Sequence, residues 1–202
     1  MTIQQECANR NIDRLFHFTR AENVPGILAS GLLPPSHIRR QALQSTSNDA
    51  YRYDGLDATC LTIEWPNYKM FYPLRCNAPP GTNWAVLQIN HAVLWEKRCC
   101  FSVTNAADGS VSSIPVAQRS GLSAFQALFQ DYGGKTRVEL GILDCFPTNP
   151  QAEVSCFDPI EPTYIDAVWL DDAGAAHALQ GRHLCVYNNN RYHWPRSDHN
   201  HW

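Results

Sequence analysis

The chain has 202 residues, a formal net charge of −3 at pH 7, and hydrophobic residues at 44% of its positions. This length predicts one domain with a sizeable core, and the negative charge excludes a protein that binds nucleic acid through its overall charge. No run of about 18 apolar residues occurs, so a membrane-spanning helix is also excluded.

The N-terminus and the cysteines indicate the cellular compartment. Met1 to Glu6 contain neither the basic nor the apolar stretch of a cleaved secretion signal, which favours a cytoplasmic protein. The eight Cys residues show no C-x-x-C pair and no zinc-binding spacing, so we expect reduced thiols and no metal site. Lys occurs only at positions 69, 97 and 135, so most of the 16 basic residues are Arg. Because the Arg guanidinium suits phosphates and bases, a local basic groove stays open as an alternative to a bias of genome composition.

The first quarter of the chain predicts one strand, one helix and a long loop. Residues 1–12 are polar and predict a loose lead-in. A strand is predicted at 14–19, followed by a helix at 21–30 that ends at Gly31. Residues 34–55 have no apolar period, and a loop of this length inside a compact domain is usually functional.

The remainder of the chain predicts a β-rich pattern. Further strands are predicted at 60–65, 84–89, 99–104, 138–145, 153–157, 164–170 and 184–187. An apolar segment at 68–74, a loop at 105–113 and a short helix at 124–129 lie between them. Because βαβ units, G-x-G-x-x-G and P-loop motifs are all missing, the pattern predicts an α+β fold and not a doubly wound nucleotide fold.

His17 lies near the end of the first predicted strand. Alternation points Phe16 and Phe18 to one face, and His17 and Thr19 to the other. A half-buried His that bonds a backbone carbonyl is one interpretation. The other is a ligand site, since an imidazole beside a hydroxyl suits the hydroxyl groups of a ribose.

Two further segments leave alternatives open. Residues 48–55 are the densest polar stretch and are either a surface turn or a site in which Arg52 holds a pyrophosphate, supported by Asp49 or Asp54. Residues 66–72 combine aromatic side chains with Met70, which suits either a flat ring or an ordinary core edge.

Glu153 follows a turn flanked by prolines and begins a predicted strand. A lone Glu is usually solvated, and Glu139 and Glu96 are alternatives to Glu153 as a functional carboxylate. No Ser–His–Asp or Cys–His order with a nucleophile elbow occurs, so acyl transfer has little support. The His-containing C-terminus predicts an exposed end, with His193, His199 and His201.

Together these motifs resemble the DarT ADP-ribosyltransferases, toxins that modify bases in single-stranded nucleic acid. The resemblance covers roughly residues 13–194 and rests on the order and spacing of several short segments. These are Leu15-Phe16-His17-Phe18-Thr19, Asn23, Gly26-Ile27-Leu28, Gly31-Leu32-Leu33, Asn48-Asp49-x-x-Arg52-x-Asp54-Gly55, Pro66-Asn67-x-x-Met70-Phe71-Tyr72, Gln151-Ala152-Glu153-Val154, Pro162 to Ile165, and Tyr192-x-Trp194.

The resemblance implies an ADP-ribosyltransferase-like split β-sheet core with short flanking helices and long substrate and NAD loops. It implies one domain at 13–194, between a lead-in at 1–12 and a tail at 195–202. NAD would be the substrate that donates ADP-ribose, and single-stranded DNA is favoured over RNA or protein as the acceptor. A cognate antitoxin is the expected partner in a toxin–antitoxin or phage-defence system. A non-catalytic module that binds NAD or nucleic acid is the alternative.

The resemblance also assigns roles to residues. Glu153 and Arg52 would be catalytic, with Arg40 as the alternative to Arg52. The NAD-binding residues would be His17, Thr19, Asn23, Arg52 and Met70. Composition suggests that the side chains that stack an unpaired base are among Tyr51, Arg191, Tyr192 and Trp194.

The chemistry fits these residue types. Cleavage of the nicotinamide–ribose bond passes through an oxocarbenium-like state, which a carboxylate bonded to the ribose 2′-hydroxyl stabilises. Residues 61–65 depart from the family pattern, and residues 105–130 have no secure match to it. The target base therefore stays open at this stage.

Overall fold

Alternating side chains along the strands give the central sheet two different faces. The computed structural model describes residues 1–46, 54–171, 173, 185–187 and 191–202, with the backbone alone at 185–187 and Arg191. The strands are β1 (Arg14–Arg20), β2 (Thr59–Ile63), β3 (Trp84–Asn90), β4 (Cys99–Ser102), β5 (Glu153–Cys156), β6 (Ile165–Leu170) and β7 (Cys185–Tyr187).

Short helices flank the sheet. Those with described bounds are α1 (Ile3–Arg10), α2 (Val24–Ser30), α3 (Pro35–Arg40), α4 (Tyr68–Cys76), α5 (Val93–Glu96), α6 (Gly109–Ser112), α7 (Gly121–Ala127) and α8 (Arg137–Leu140). Single 3-10 turns lie at Ala21–Asn23, Val116–Arg119, Pro162–Tyr164, Arg191–His193 and His199–His201. Among the residues that the structure describes, no helix has the length and apolar character needed to cross a membrane.

The sheet has the order β4-β5-β2-β1-β3-β6-β7, and its neighbouring strands are antiparallel except for β6 and β7. Strands β1 and β3 pair along seven residues. Strands β1 and β2 pair only at Leu15–Ile63 and Phe16–Thr62. The sheet is therefore split into a β1-β3-β6-β7 half and a β2-β5-β4 half. The α+β class and the split core predicted from the sequence are confirmed.

Each face of the sheet packs differently. Leu15, Leu87 and Val154 belong to a large apolar cluster that α1, α2, α5 and α7 cover. On the opposite face, Phe16 joins a smaller aromatic cluster, and the rings of Phe18 and Phe71 stack with their centroids 4.5 Å apart. This aromatic cluster covers β1, β3 and β6 but not the β2-β5-β4 half of the sheet. The polar side chains of that half can therefore form a site.

The prediction of a loose lead-in at residues 1–12 is wrong, because Ile3–Arg10 forms α1. Thr2 and Gln5 form a capping box at its start. Cys7 is fully buried, and the Arg10 guanidinium lies 2.7 Å from an Asp144 carboxylate oxygen. The helix has too few apolar residues for a helical period, so its stability depends on tertiary contacts that the sequence pattern does not show.

Two other secondary-structure predictions are wrong. Pro35–Arg40, within the predicted loop at 34–55, forms α3 with Pro in its first turn. The strand predicted at 138–145 is absent: Arg137–Leu140 forms α8, and residues 141–145 form turns and irregular backbone. Thr136 and Glu139 close a capping box, and Gly141 ends the helix in the left-handed conformation. Capping overrides the strand-like composition here.

The C-terminal residues 192–202, here named the C-terminal strap, are largely packed against the domain. Tyr192 is only 2% exposed and belongs to the aromatic cluster, so its predicted availability for base stacking is wrong. His193 is also buried, although His199 and His201 are exposed. The Arg196 guanidinium is paired with Asp198 at 2.6 Å and donates to the Pro147 carbonyl at 2.8 Å. The strap thereby holds the loop that leads into β5.

We expect Arg196→Met to lower the free energy of unfolding by about 3 kcal/mol or more, because it leaves the buried Asp198 carboxylate without its cation. Chemical denaturation measures the change. Arg98→Met is the control, since Arg98 forms its ion pair with Asp158 at the surface. Equal unfolding midpoints for the two variants would contradict a stabilising role of the strap.

We expect His193 to make the fold less stable in acid. Burial and the Arg75 guanidinium lower the pKa of His193 to about 4, and they outweigh the Asp171 carboxylate 3.7 Å away. The unfolded chain takes up this proton near pH 6.5, so stability is full above that pH and falls as the pH drops toward 4. His193→Gln should remove about 1 to 2 kcal/mol of the stability loss between pH 7 and pH 5 in denaturation curves. An identical pH dependence in the variant would refute this.

Candidate active site

The site lies where β1 and β2 separate. Beyond the pair Phe16–Thr62 the two backbones no longer bond to each other within the strands, and the His17 imidazole occupies the gap. Its Nδ1 lies 2.8 Å from the Cys60 carbonyl oxygen. A carbonyl only accepts, so Nδ1 carries the hydrogen. The His17 side chain thus supplies the Cys60 carbonyl with a donor where the pairing of β1 and β2 ends.

Thr19 and Asn23 continue this side of the opening. Thr19 is buried, and its hydroxyl accepts a hydrogen bond from the Asn23 side-chain amide at 3.0 Å. The same amide group donates to the Thr46 carbonyl and accepts from the Thr46 backbone N–H, both at 2.9 Å. Asn23 thus pairs with a peptide unit as a strand would, and it fixes the backbone just before residue 47.

Glu153 begins β5 on the other side of the opening. The side chain is 8% exposed, and its carboxylate accepts a hydrogen bond from the Ala106 backbone N–H at 3.1 Å. It shares a sheet face with Ser102, which is paired with it on β4. By contrast, Glu139 and Glu96 are exposed, and Glu139 caps α8. Of the carboxylates considered from the sequence, Glu153 alone is held in the polar face of the sheet.

Asp54 and Cys60 lie beside Glu153. The carboxylate oxygens of the two acids and the Cys60 sulfur come within 4.8 Å of one another. These atoms are also donors that a divalent cation accepts, although the sequence shows no metal-binding motif. Asp54 thus lies beside Glu153, and Thr46 is bonded to Asn23.

A buried cation lies behind this polar face. Arg119 is 5% exposed and donates to the Ser102 hydroxyl and to the Ile114 carbonyl, each at 3.0 Å. Burial raises the pKa of the neighbouring Cys100, Arg119 lowers it, and Glu153 raises it. The Arg119 guanidinium is thus bonded to Ser102, the residue that lies opposite Glu153 on the neighbouring strand.

Met70 lies on α4 beside the loop that contacts Glu153. The Asn105 amide nitrogen is 3.9 Å from the Met70 sulfur, and the next residue, Ala106, is the one that donates to Glu153. Met70 also lines a cavity of about 400 Å³ together with Arg20 and Pro73. The segment 105–130 had no secure match to the family pattern in the sequence. Its first residues thus contact the site.

The remaining predicted residues fall into two groups. Arg52 and Tyr51 lie outside the described residues, as does the Arg191 side chain. Trp194 is 65% exposed, and its carbonyl accepts a hydrogen bond from the Trp65 indole at 3.0 Å. Arg40 lies on α3 and donates to the His37 ring at 3.1 Å.

Some site residues were not predicted from the sequence. Cys60 is one of them, and it meets Glu153 through the pairing of β2 with β5. Asp54, which the sequence suggested as a support for Arg52, lies beside Glu153 instead. Arg119 and Asn105 lie in segments without a strong apolar period. The sequence signal for Arg119 is that no acidic residue lies near it in the chain, so that an Arg buried at this position needs a partner from elsewhere.

Several solved structures share this fold. Thermosipho africanus DarTG in complex with ADP-ribose has a TM-score of 0.57 and 16% identity, over 89% of this chain and 50% of that chain. Thermus sp. 2.9 DarT in complex with NAD+ has a TM-score of 0.55 and 12% identity, over 86% of this chain and 94% of that chain. The same Thermus protein in complex with ADP-ribosylated ssDNA has a TM-score of 0.54 and 13% identity, over 86% and 93%. The present chain spans half the length of the Thermosipho protein. A comparison with curated protein sequences finds no significant match.

The chain thus shares the fold of proteins solved with ADP-ribose and with NAD+, and its sheet opens between the His17 imidazole and the buried Glu153 carboxylate. Residues 16–183 match the sequence model of the family described as ssDNA thymidine ADP-ribosyltransferase, DarT. The chain belongs to the DarT family. The resemblance found in the sequence motifs is thereby confirmed.

We expect Asn23→Ala to release the backbone at Thr46, because one side chain makes both hydrogen bonds to it. The Thr46 amide should exchange with solvent about fivefold faster, as the loss of roughly 1 kcal/mol implies. Hydrogen exchange read by NMR or mass spectrometry measures this rate. Asn90→Ala is the control, since Asn90 makes a comparable bond to Ala92. An unchanged rate at Thr46 in Asn23→Ala would show that Asn23 does not anchor this segment.

Proposed function

We propose that this chain transfers ADP-ribose from NAD to a thymine base in single-stranded DNA. The observation that carries the proposal is the Glu153 carboxylate, buried and oriented by the Ala106 N–H across the opening from His17. Membership of a family described by this activity supports the choice of donor and acceptor. The exposed Trp194 ring adds a surface on which an unpaired base can stack.

In the proposed reaction, His17 and Thr19 bind NAD and leave its nicotinamide ribose next to Glu153. Glu153 accepts a hydrogen bond from the ribose 2′-hydroxyl and stabilises the positive charge that grows as the bond to nicotinamide breaks. A thymine ring nitrogen then bonds to C1′ and loses its proton, for which Glu153 is the nearest base. N3 is the acceptor that chemistry favours, because it is the one ring nitrogen of thymidine that carries a hydrogen.

Arg52 is proposed to hold the pyrophosphate of NAD. Two described residues near it in the chain support this role: Thr46 is bonded to Asn23, and Asp54 lies beside Glu153. A guanidinium suits a diphosphate because it donates two parallel hydrogen bonds to phosphate oxygens. Met70 would pack against the same dinucleotide.

The biological role that we propose is that of a toxin in the cytoplasm, restrained by a cognate antitoxin. We further propose residues 13–194 as the catalytic unit. The boundaries at residues 12 and 194 stay predictions, and the contacts of Arg10 and Arg196 favour including α1 and the C-terminal strap in the same folded unit.

We expect Glu153→Gln to reduce labelling of a thymidine-containing DNA oligonucleotide by about 10²- to 10³-fold, because the amide no longer offsets the charge of the oxocarbenium-like state. Mass spectrometry of the oligonucleotide after incubation with NAD measures the modified base. Glu139→Gln is the matched control, since Glu139 is exposed and caps α8. Thermal unfolding of both variants separates loss of chemistry from loss of fold.

Other outcomes of this experiment would overturn the proposal in different ways. Equal labelling by Glu153→Gln would remove Glu153 from the catalytic role. Labelling of RNA or of lysate proteins in place of DNA would change the acceptor. Release of nicotinamide without any labelled acceptor would make the chain an NAD glycohydrolase, and no release at all would make it a binding module.

A further inference from the structure

We propose that Cys99 and Cys156 form a reversible disulfide with a low-molecular-weight disulfide as the oxidant. The two residues are directly opposite each other on the antiparallel strands β4 and β5. They therefore share a face of the sheet, which is the apolar face and not the one that carries Glu153. The inference depends on the fold alone and not on the proposed function.

The strand pairing brings the two cysteines to disulfide geometry. The Phe157 backbone N–H donates to the Arg98 carbonyl at 2.9 Å, which makes Arg98 and Phe157 a hydrogen-bonded pair. Because such pairs alternate along an antiparallel ladder, Cys99 and Cys156 are a non-hydrogen-bonded pair, whose Cα atoms lie about 4.5 Å apart. Disulfides span Cα separations of about 4.4 to 6.8 Å. The bridge can therefore form with little movement of the backbone.

The thiols already interact in the reduced protein. A hydrogen bond with the Cys99 thiol is the main cause that lowers the pKa of Cys156, and the same bond raises the pKa of Cys99. Of the two, Cys156 therefore loses its proton first, and its thiolate lies opposite the Cys99 thiol, which suits thiol–disulfide exchange.

A cavity gives an oxidant access to one of the two. Cys99 lines a cavity of about 570 Å³ together with Lys97, Arg98 and Phe157, whereas Cys156 is fully buried. We therefore assign Cys99 as the thiol that meets the oxidant and Cys156 as the thiol that resolves the intermediate. The cations beside Cys99 suit a disulfide that carries carboxylates, such as oxidised glutathione.

The exchange is balanced in two steps. The Cys99 sulfur attacks one sulfur of the oxidant as its proton passes to the Cys156 thiolate, and the sulfur–sulfur bond of the oxidant breaks and releases one thiolate. The Cys156 thiolate then attacks the Cys99 sulfur of the mixed disulfide and releases the second thiolate. The two protein thiols are oxidised to a disulfide, and the oxidant is reduced to two thiols, which take up the two protons.

The test incubates the full chain with oxidised glutathione, blocks the remaining thiols and maps the peptides without reduction. We expect linked peptides that contain Cys99 and Cys156, and their disappearance after dithiothreitol. The melting temperature should rise by about 5 °C or more on oxidation, since the bridge closes a long loop. A different cysteine pair, or glutathione that remains on Cys99 in the wild-type chain, would overturn the proposal.

Variants separate the two thiols from their neighbours. Cys156→Ala should accumulate glutathione on Cys99, and Cys99→Ala should give no linked peptide and no rise in melting temperature. Cys100→Ala is the matched control, because Cys100 is adjacent in sequence but faces the other side of the sheet, opposite Ser155. It should form the Cys99–Cys156 bridge as the wild type does. Loss of the bridge in Cys100→Ala with retained folding would contradict the assignment.

Discussion

The structure depends on the separation of β1 from β2, whose backbone pairing ends before either strand does. Where two strands separate, their backbone N–H and C=O groups lose each other as hydrogen-bond partners and need others. The Cys60 carbonyl accepts a hydrogen bond from the His17 imidazole at 2.8 Å, so this acceptor stays satisfied where the sheet opens. The same bond fixes the ring and its tautomer. The structural role of His17 is compatible with the NAD-binding role that we propose for it, so the two interpretations that the sequence left open do not exclude each other.

The outer half of the sheet is short and needs support from distant parts of the chain. Strands β4 and β5 have four residues each, and Glu153 is the first residue of β5. The turn before it is held by Arg196, which donates to the carbonyls of Pro147 and Thr148. On the other side, the Ala106 N–H fixes the carboxylate itself. The position of Glu153 is thus set by residues about fifty positions away in both directions, and its rigidity is a property of the whole half-sheet.

The sequence predicts the strands whose formation depends on a local pattern of side chains. Alternation over seven residues places Phe16 and Phe18 opposite His17, and the strands near residues 84 and 165 are found for the same reason. The pattern fails where capping or tertiary contact decides, as in α1 and α8. It could not separate Glu153 from Glu139 without the family resemblance, because both follow polar turns and precede apolar residues. The structure distinguishes them, because Glu153 is paired with Ser102 in the sheet, whereas Glu139 caps α8. Arg119 and Asp54 join the site through contacts that no spacing in the sequence encodes.

The two faces of the outer half-sheet carry different side chains, and this difference fixes the register of its strands. Along β5, Glu153 and Ser155 belong to the polar face, while Val154 and Cys156 belong to the core. A shift of one residue would move the carboxylate into the apolar cluster and both apolar side chains to the polar face, so the burial energy of the core also fixes the position of the site. The pair Cys99–Cys156 lies at the far end of the same two strands from Glu153. A covalent bond at that pair would lock the register on which the carboxylate depends while leaving the polar face untouched.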